Sequence, residues 1–291
     1  MKDTFKKLTP IVLAPALAAL CVCLFRRLTL WAFGRLFSVW NLHQGTYAYA
    51  GAFARGIADA AGSISGFVSL LAVCIGLSLV FKRHAFDRKA GVCCVLPYAL
   101  AGALSSCLMM GVLFAAGSVR MSEYRAVPAP SEVIYLANGA LACTGIALCA
   151  RIMARGVKMA VSGKVGRIAA YAVSGAVQSV LCLLLYGGFS FMLALNGFLS
   201  GILFFRMYER YGNILAEAGF AVSFFLFPRL AFGFPDWAMG AYTVSEDWLT
   251  GGGSGLEMSG ILFAALAACL LICFAGKSVS KWIQSHVLRI R

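Results

Sequence analysis

The sequence predicts an all-α, polytopic membrane bundle of about eight transmembrane helices. Three observations predict it. Of its 291 residues, 61% are hydrophobic and 12% charged, whereas a soluble domain runs near half apolar and about a quarter charged. The apolar residues fall into runs close to the roughly 20 residues that cross a hydrocarbon core as a helix. The basic residues sit in short segments between those runs, which is how membrane orientation is written into a chain. Backbone at lipid depth must bond to itself, and the runs lack the alternation of barrel strands, so they are read as helices.

The runs are 8–25, 63–81, 92–118, 133–150, 167–187, 189–205, 213–234 and 256–276. The first follows Lys2, Lys6 and Lys7 and resembles a signal peptide. No small-x-small cleavage pattern follows it, so it is expected to stay as the first span. Arg26-Arg27 closes that span. The stretch LTLWAFGRLFSVW comes next, with Trp31 and Trp40, and is expected to lie in the interface. Placing the N-terminus inside puts three basic residues before residue 8 on the inner side, four across 82–89, five across 151–167, Arg206 and Arg210, and four after 276. That is 18 of 25, so both termini are expected in the cytoplasm, with the chain in a cell membrane, by expectation a bacterial plasma membrane. Segments 119–131 and 235–255 then fall outside. The pairs Gly62–Gly66 and Gly197–Gly201 have the spacing of close helix packing. The chain reads as a single integral membrane domain, 1–291, with N-terminal spans and the interfacial helix in 1–130, a core in 131–276 and a basic cytoplasmic tail in 277–291.

Composition also excludes functions. The net charge of +14 is spent on topology rather than gathered into a nucleic-acid surface, so no nucleic-acid partner is expected. The eleven cysteines lie inside apolar runs and none forms a CxxC pair; they read as small core residues. His43, His84 and His286 are scattered. No metal site and no cofactor are expected.

A glycine-rich stretch near the end carries the most specific pattern. Trp248-Leu249-Thr250-Gly251-Gly252, followed by Gly255-Leu256-Glu257 and Ser259, resembles the tail of the CAAX protease and bacteriocin-processing (CPBP) intramembrane proteases. Phe232-Gly233-Phe234-Pro235 resembles the element before it. Upstream, Tyr211-Gly212-Asn213-Ile214-Leu215 and Gly219-Phe220 resemble the family's third motif helix. Ala170 and Ser174 resemble the second, and Arg155-Gly156 the close of the first. The resemblance covers about residues 140–275 and implies a CPBP-like helical fold.

Such enzymes use a glutamate to activate water, with His and Asn donors facing the developing negative charge. Here the two glutamate positions fall on Ala150 and Arg151, and the second motif's Phe and His on Gln178 and Cys182. The third motif's His and Asn fall on Ala221 and Phe225. No His lies between residues 85 and 285, and no acidic pair lies in any span. The resemblance therefore implies a catalytically inactive pseudoprotease that binds a membrane segment, a peptide or a partner protein. Rival readings are an active endopeptidase with a relocated site, where Glu217 is the candidate base, and a transporter or permease subunit. The candidate residual site is Arg155, Glu217 and Arg229. Glu217, Ala221, Phe225 and Arg229 are spaced by four along one helix face, and Arg155 is expected to pair with Glu217. The other reading of Glu217 is that it snorkels to the interface, and the basic run 151–167 also reads as a positive-inside anchor. Glu257 is expected near the start of the last helix, where an anion is favourable.

Overall fold

The computed structural model describes residues 19–32, 95–121, 130–161, 163–186, 190–211, 214–232, 242–244 and 259–286, together with 16, 34, 35, 68, 72 and 249. These residues are helical apart from one small antiparallel ribbon. The helices are α1 (residues 19–32), α2 (Val95–Ala115), α3 (Pro130–Ala160), α4 (Gly163–Tyr186), α5 (Phe191–Tyr211), α6 (Ile214–Phe232) and α7 (Gly260–His286). Among the described residues three segments, Val95–Ala115, Gly163–Leu184 and Phe191–Glu209, are long and apolar enough to cross a membrane, and Glu217–Pro228 and Gly260–Ala275 are shorter apolar helices. The predicted span 63–81 lies outside the described residues but for 68 and 72, which are helical.

Local chemistry sets the ends. Pro130 opens α3 at a position whose N–H would have no partner anyway. Gly117 closes α2 with φ 73°. Its N–H bonds Phe114 O at 3.0 Å, and the Ser118 N–H bonds Leu113 O at 3.0 Å, so the last carbonyls of α2 are satisfied by a left-handed glycine cap. Ser259 caps α7 by accepting the Leu262 N–H on its Oγ at 3.2 Å.

The expectations shift in three places. The helix of the first span runs through Arg26-Arg27 to residue 32 instead of stopping at 25. Arg26 is accommodated because its Nη1 donates to Leu184 O, at the end of α4, at 2.7 Å. The basic run after 150 is helical as far as Ala160 rather than loop, since Arg, Lys, Met and Ala are all strong helix formers. The segments 119–131 and 235–255 contribute β1 (Val119–Met121) and β2 (Tyr242–Val244), paired with Val119 opposite Val244. Charge alone had assigned these two segments to the same side.

α3 packs on α4, α4 on α5 and α5 on α7, while α2 and α6 form a close pair. One apolar cluster joins Val22 of α1 to α3 and α4. A second joins α2, α5, α6 and α7 around Phe204 and Phe224. On α2, Leu96, Leu100, Leu104, Leu108 and Val112 face outward at a spacing of four, with Leu108 74% exposed. Such a stripe is costly in water and costs nothing in lipid.

Candidate functional site

The α4–α5 seam is built from small residues. A Cβ on Gly201 would come within 2.5 Å of Ser174 O, and one on Gly197 within 2.9 Å of Ser179 Cα, so the glycines let the backbones meet as their spacing predicts. Close approach brings hydroxyls within reach of the facing carbonyls. Ser174 Oγ donates to Gly201 O at 2.8 Å, and Ser179 Oγ donates to Ala194 O at 2.7 Å.

Between these contacts runs a relay of neutral groups. Gln178 Nε2 donates to Ser200 Oγ at 2.8 Å, and Ser200 Oγ donates to Gly197 O at 2.9 Å. Because the Ser200 proton is committed to a carbonyl, the amide must present its NH₂ to the serine. Gln178 Oε1 is left over: it is buried and has no hydrogen-bond partner among the described residues. Asn196 Nδ2 donates to Ser259 O at 3.1 Å, tying α5 to the cap of α7.

These residues line a partly open cavity. Gln178, Cys182, Asn196 and Ser200 supply its polar side, and Ile146, Leu193, Phe204, Phe225 and Leu262 its apolar side. Its volume, about 30 Å³ for the centres of water-sized molecules, admits about two waters or the head of one side chain. No carboxylate, ammonium, guanidinium or imidazole is among the lining groups.

A second polar cluster lies at the far ends of α3 and α5 and the start of α4. Arg151, 3% exposed, stacks its guanidinium 4.6 Å from the centre of the Tyr208 ring. Arg155 approaches the same ring at 5.8 Å, and its Nη1 donates to Tyr208 Oη at 2.7 Å. Lys158 pairs with Glu209, whose second carboxylate oxygen accepts the Tyr171 hydroxyl at 2.5 Å. Arg206 lies over Phe274 at 4.7 Å.

Of the residues singled out from sequence, Gln178, Cys182 and Phe225 meet at the cavity. Ala150 and Ala221 are buried in the apolar clusters. Arg155 does not pair with Glu217: its guanidinium goes to Tyr208. The charge acting on Glu217 is that of Arg151, one helical turn earlier. Glu217 is 2% exposed and so does not snorkel. Both of its oxygens lack a hydrogen-bond partner among the described residues. Arg151 is likewise more than a surface anchor, because protein covers it. Arg229 falls on α6 with its backbone alone described. Trp248, Thr250, Gly251, Gly252, Gly255 and Glu257 lie outside the described residues, whereas Leu249 O accepts the Ile261 N–H at 3.1 Å. Among the described residues no group of three His, Cys, Asp or Glu is placed to hold a metal ion.

Sequence reasoning missed Asn196 and Ser200. The signal was there: two polar residues four apart in an otherwise apolar run, sharing the Gly197–Gly201 face. Polar groups at membrane depth are expensive and usually face the bundle interior. Compared with known protein families, with curated proteins and with solved structures, the chain matches none.

Proposed function

We propose that this chain is a CPBP-like pseudoprotease of about eight spans, whose cavity binds a membrane-embedded peptide segment without cleaving it. The observation that carries the reading is the meeting of Gln178, Cys182 and Phe225 at one cavity. These are positions to which the resemblance assigns the family's second-motif Phe and His and its third-motif Asn. Hydrolysis of an amide needs a base to activate water and donors for the oxyanion. An amide, a thiol and a phenyl ring stand at those positions, which suits recognition rather than proteolysis. The proposed setting is a bacterial plasma membrane with both termini in the cytoplasm.

The buried carboxylate of Glu217 favours a peptidase with a relocated site as the second reading. Distance argues against it. Glu217 lies eight residues before Phe225 on α6, about 12 Å along the axis at 1.5 Å per residue, and is not among the cavity's lining residues.

The test is site-specific photocrosslinking from position 193 in the full chain, in native membranes. The expected result is a discrete adduct whose mass spectrum contains an apolar peptide of span length. Turnover of a membrane peptide that vanishes in Glu217→Gln would instead establish the peptidase. Adducts to lipid alone would remove the peptide-binding reading.

A further inference from the structure

We infer that the cavity selects for one neutral hydrogen-bond donor, the side chain of an Asn, Gln, Ser or Thr, carried by the transmembrane segment it binds. The inference rests on the peptide-binding reading above and adds the chemistry of recognition.

Four observations converge. Gln178 is 4% exposed, and its Oε1 has no partner among the described residues. The relay through Ser200 to Gly197 uses one amide N–H and fixes the amide's orientation, so Oε1 is the amide atom left without a partner for a ligand to meet. A buried acceptor left alone costs about 1–3 kcal/mol, a cost that a ligand N–H or O–H removes. The lining groups include no ionisable side chain apart from the Cys182 thiol, so a Lys or Asp on the ligand would meet no counter-charge at a depth where charge is expensive. The space suits one side-chain head rather than a helix body, and the apolar wall of Ile146, Leu193, Phe204, Phe225 and Leu262 accommodates the carbon stem. Water could occupy the same acceptor, but it also wants further partners on a wall that is mostly carbon.

The test uses the full chain in lipid nanodiscs and fluorescent oligoleucine transmembrane peptides carrying one central Asn or, as the control, Leu at that position. The Asn peptide is expected to bind about three- to tenfold more tightly, the range of one interhelical hydrogen bond in a membrane. Gln178→Met should erase that ratio, bringing the Asn peptide's affinity down to that of the Leu peptide in the same variant. Ile146→Phe fills the cavity from α3 with Gln178 and the residues of its relay unsubstituted. It should erase the ratio too, so the test stands even where Gln178→Met fails to fold. Equal binding of both peptides to the wild-type chain would overturn the selectivity and leave the peptide-binding reading standing, with water satisfying Oε1. Binding of neither peptide would overturn both. A ratio that survives in both variants would place the donor's partner elsewhere and sink the inference.

Discussion

The two polar regions of this molecule solve the same problem in opposite ways. Along the glycine-lined part of the α4–α5 seam, from Ser174 to Ser179 and Ala194 to Gly201, the side chains that bond are uncharged: serine hydroxyls and amides are spent on facing backbone carbonyls and on each other. At the other cluster the groups are charged, and their charges are spread over aromatic faces and a tyrosine hydroxyl or met by Glu209. The seam lies within segments apolar enough to span a membrane, whereas the charged cluster gathers near their ends. The difference teaches where charge is tolerated. Desolvating an ion costs several kcal/mol even after relaxation, whereas a neutral hydroxyl needs only one acceptor. Hydrogen bonding at depth is therefore least costly between neutral groups.

Removing the charge that acts on Glu217 is the strongest way to break the comparison. Arg151→Gln removes a cation that acts on the buried Glu217 and also the stacking of its guanidinium on Tyr208, so it should cost about 1–3 kcal/mol. Glu217→Gln in the same chain should recover part of that loss. A double-mutant cycle read by unfolding in mixed micelles checks it. Additive effects would mean that Arg151 and Glu217 do not interact, and the Glu217 carboxyl would then stand apart from the charged cluster. Gly201→Leu comes next. Its side chain would drive into Ser174 O and the Gly175 Cα, 2.5 and 2.8 Å from a bare Cβ, and overpacking of this kind costs about 1–3 kcal/mol or more. A leucine variant as heat-stable as wild type would show that the seam is looser than its contacts require.

A smaller effect tests neutral bonding in a second seam. Pro228 lies inside α6 and has no N–H for the carbonyl four residues back, Phe224 O. Ser106 Oγ of α2 donates to that carbonyl at 2.7 Å, the kind of repair that lets proline persist in a membrane helix. Ser106→Ala should cost about 1 kcal/mol, within the range of single interhelical bonds in membranes. In a Pro228→Ala background it should cost less, because the helix then supplies the donor itself. Equal losses in both backgrounds would detach the serine from the proline.

The helices were legible because length and apolarity are local properties: the runs 92–118, 167–187 and 189–205 each contain a helix of the structure within a few residues of its bounds, except that α4 and α5 extend further at their charged ends. The close approach at Gly197–Gly201 was legible for the same reason, since small residues at a spacing of four mark one face. Pairing across the fold was not. Arg151 and Arg155 are one turn apart on the same helix, and sequence gives no means of deciding that both reach the Tyr208 ring and that Arg155 bonds its hydroxyl. The cavity as such was not legible: Gln178, Cys182 and Phe225 were singled out only through an expected resemblance, and Asn196 and Ser200 enter it from a helix on which no motif was sought. Arg26 closing α4 at Leu184 was invisible, because a backbone carbonyl leaves no trace in composition.

The smallest expected effect is the most discriminating about solvent. The Lys158 side chain is 41% exposed, and Glu209, its partner, 11%. Exposed ion pairs contribute about 0–1 kcal/mol because water and salt screen them. Glu209 also keeps the Tyr171 hydroxyl, and Arg206 Nη1 lies 3.9 Å away, so Lys158→Ala leaves the carboxylate with other partners. Its loss should therefore be only a few tenths of a kcal/mol and should shrink further as salt rises from 0.01 to 1 M, where the screening length falls from about 30 to about 3 Å. Gln178→Met, whose bond is neutral, should show no salt dependence over the same range. A Lys158→Ala loss of several kcal/mol that salt does not diminish would place Lys158 in a low-dielectric setting, and the contrast between a neutral interior and a screened, charged end would fail at its charged side.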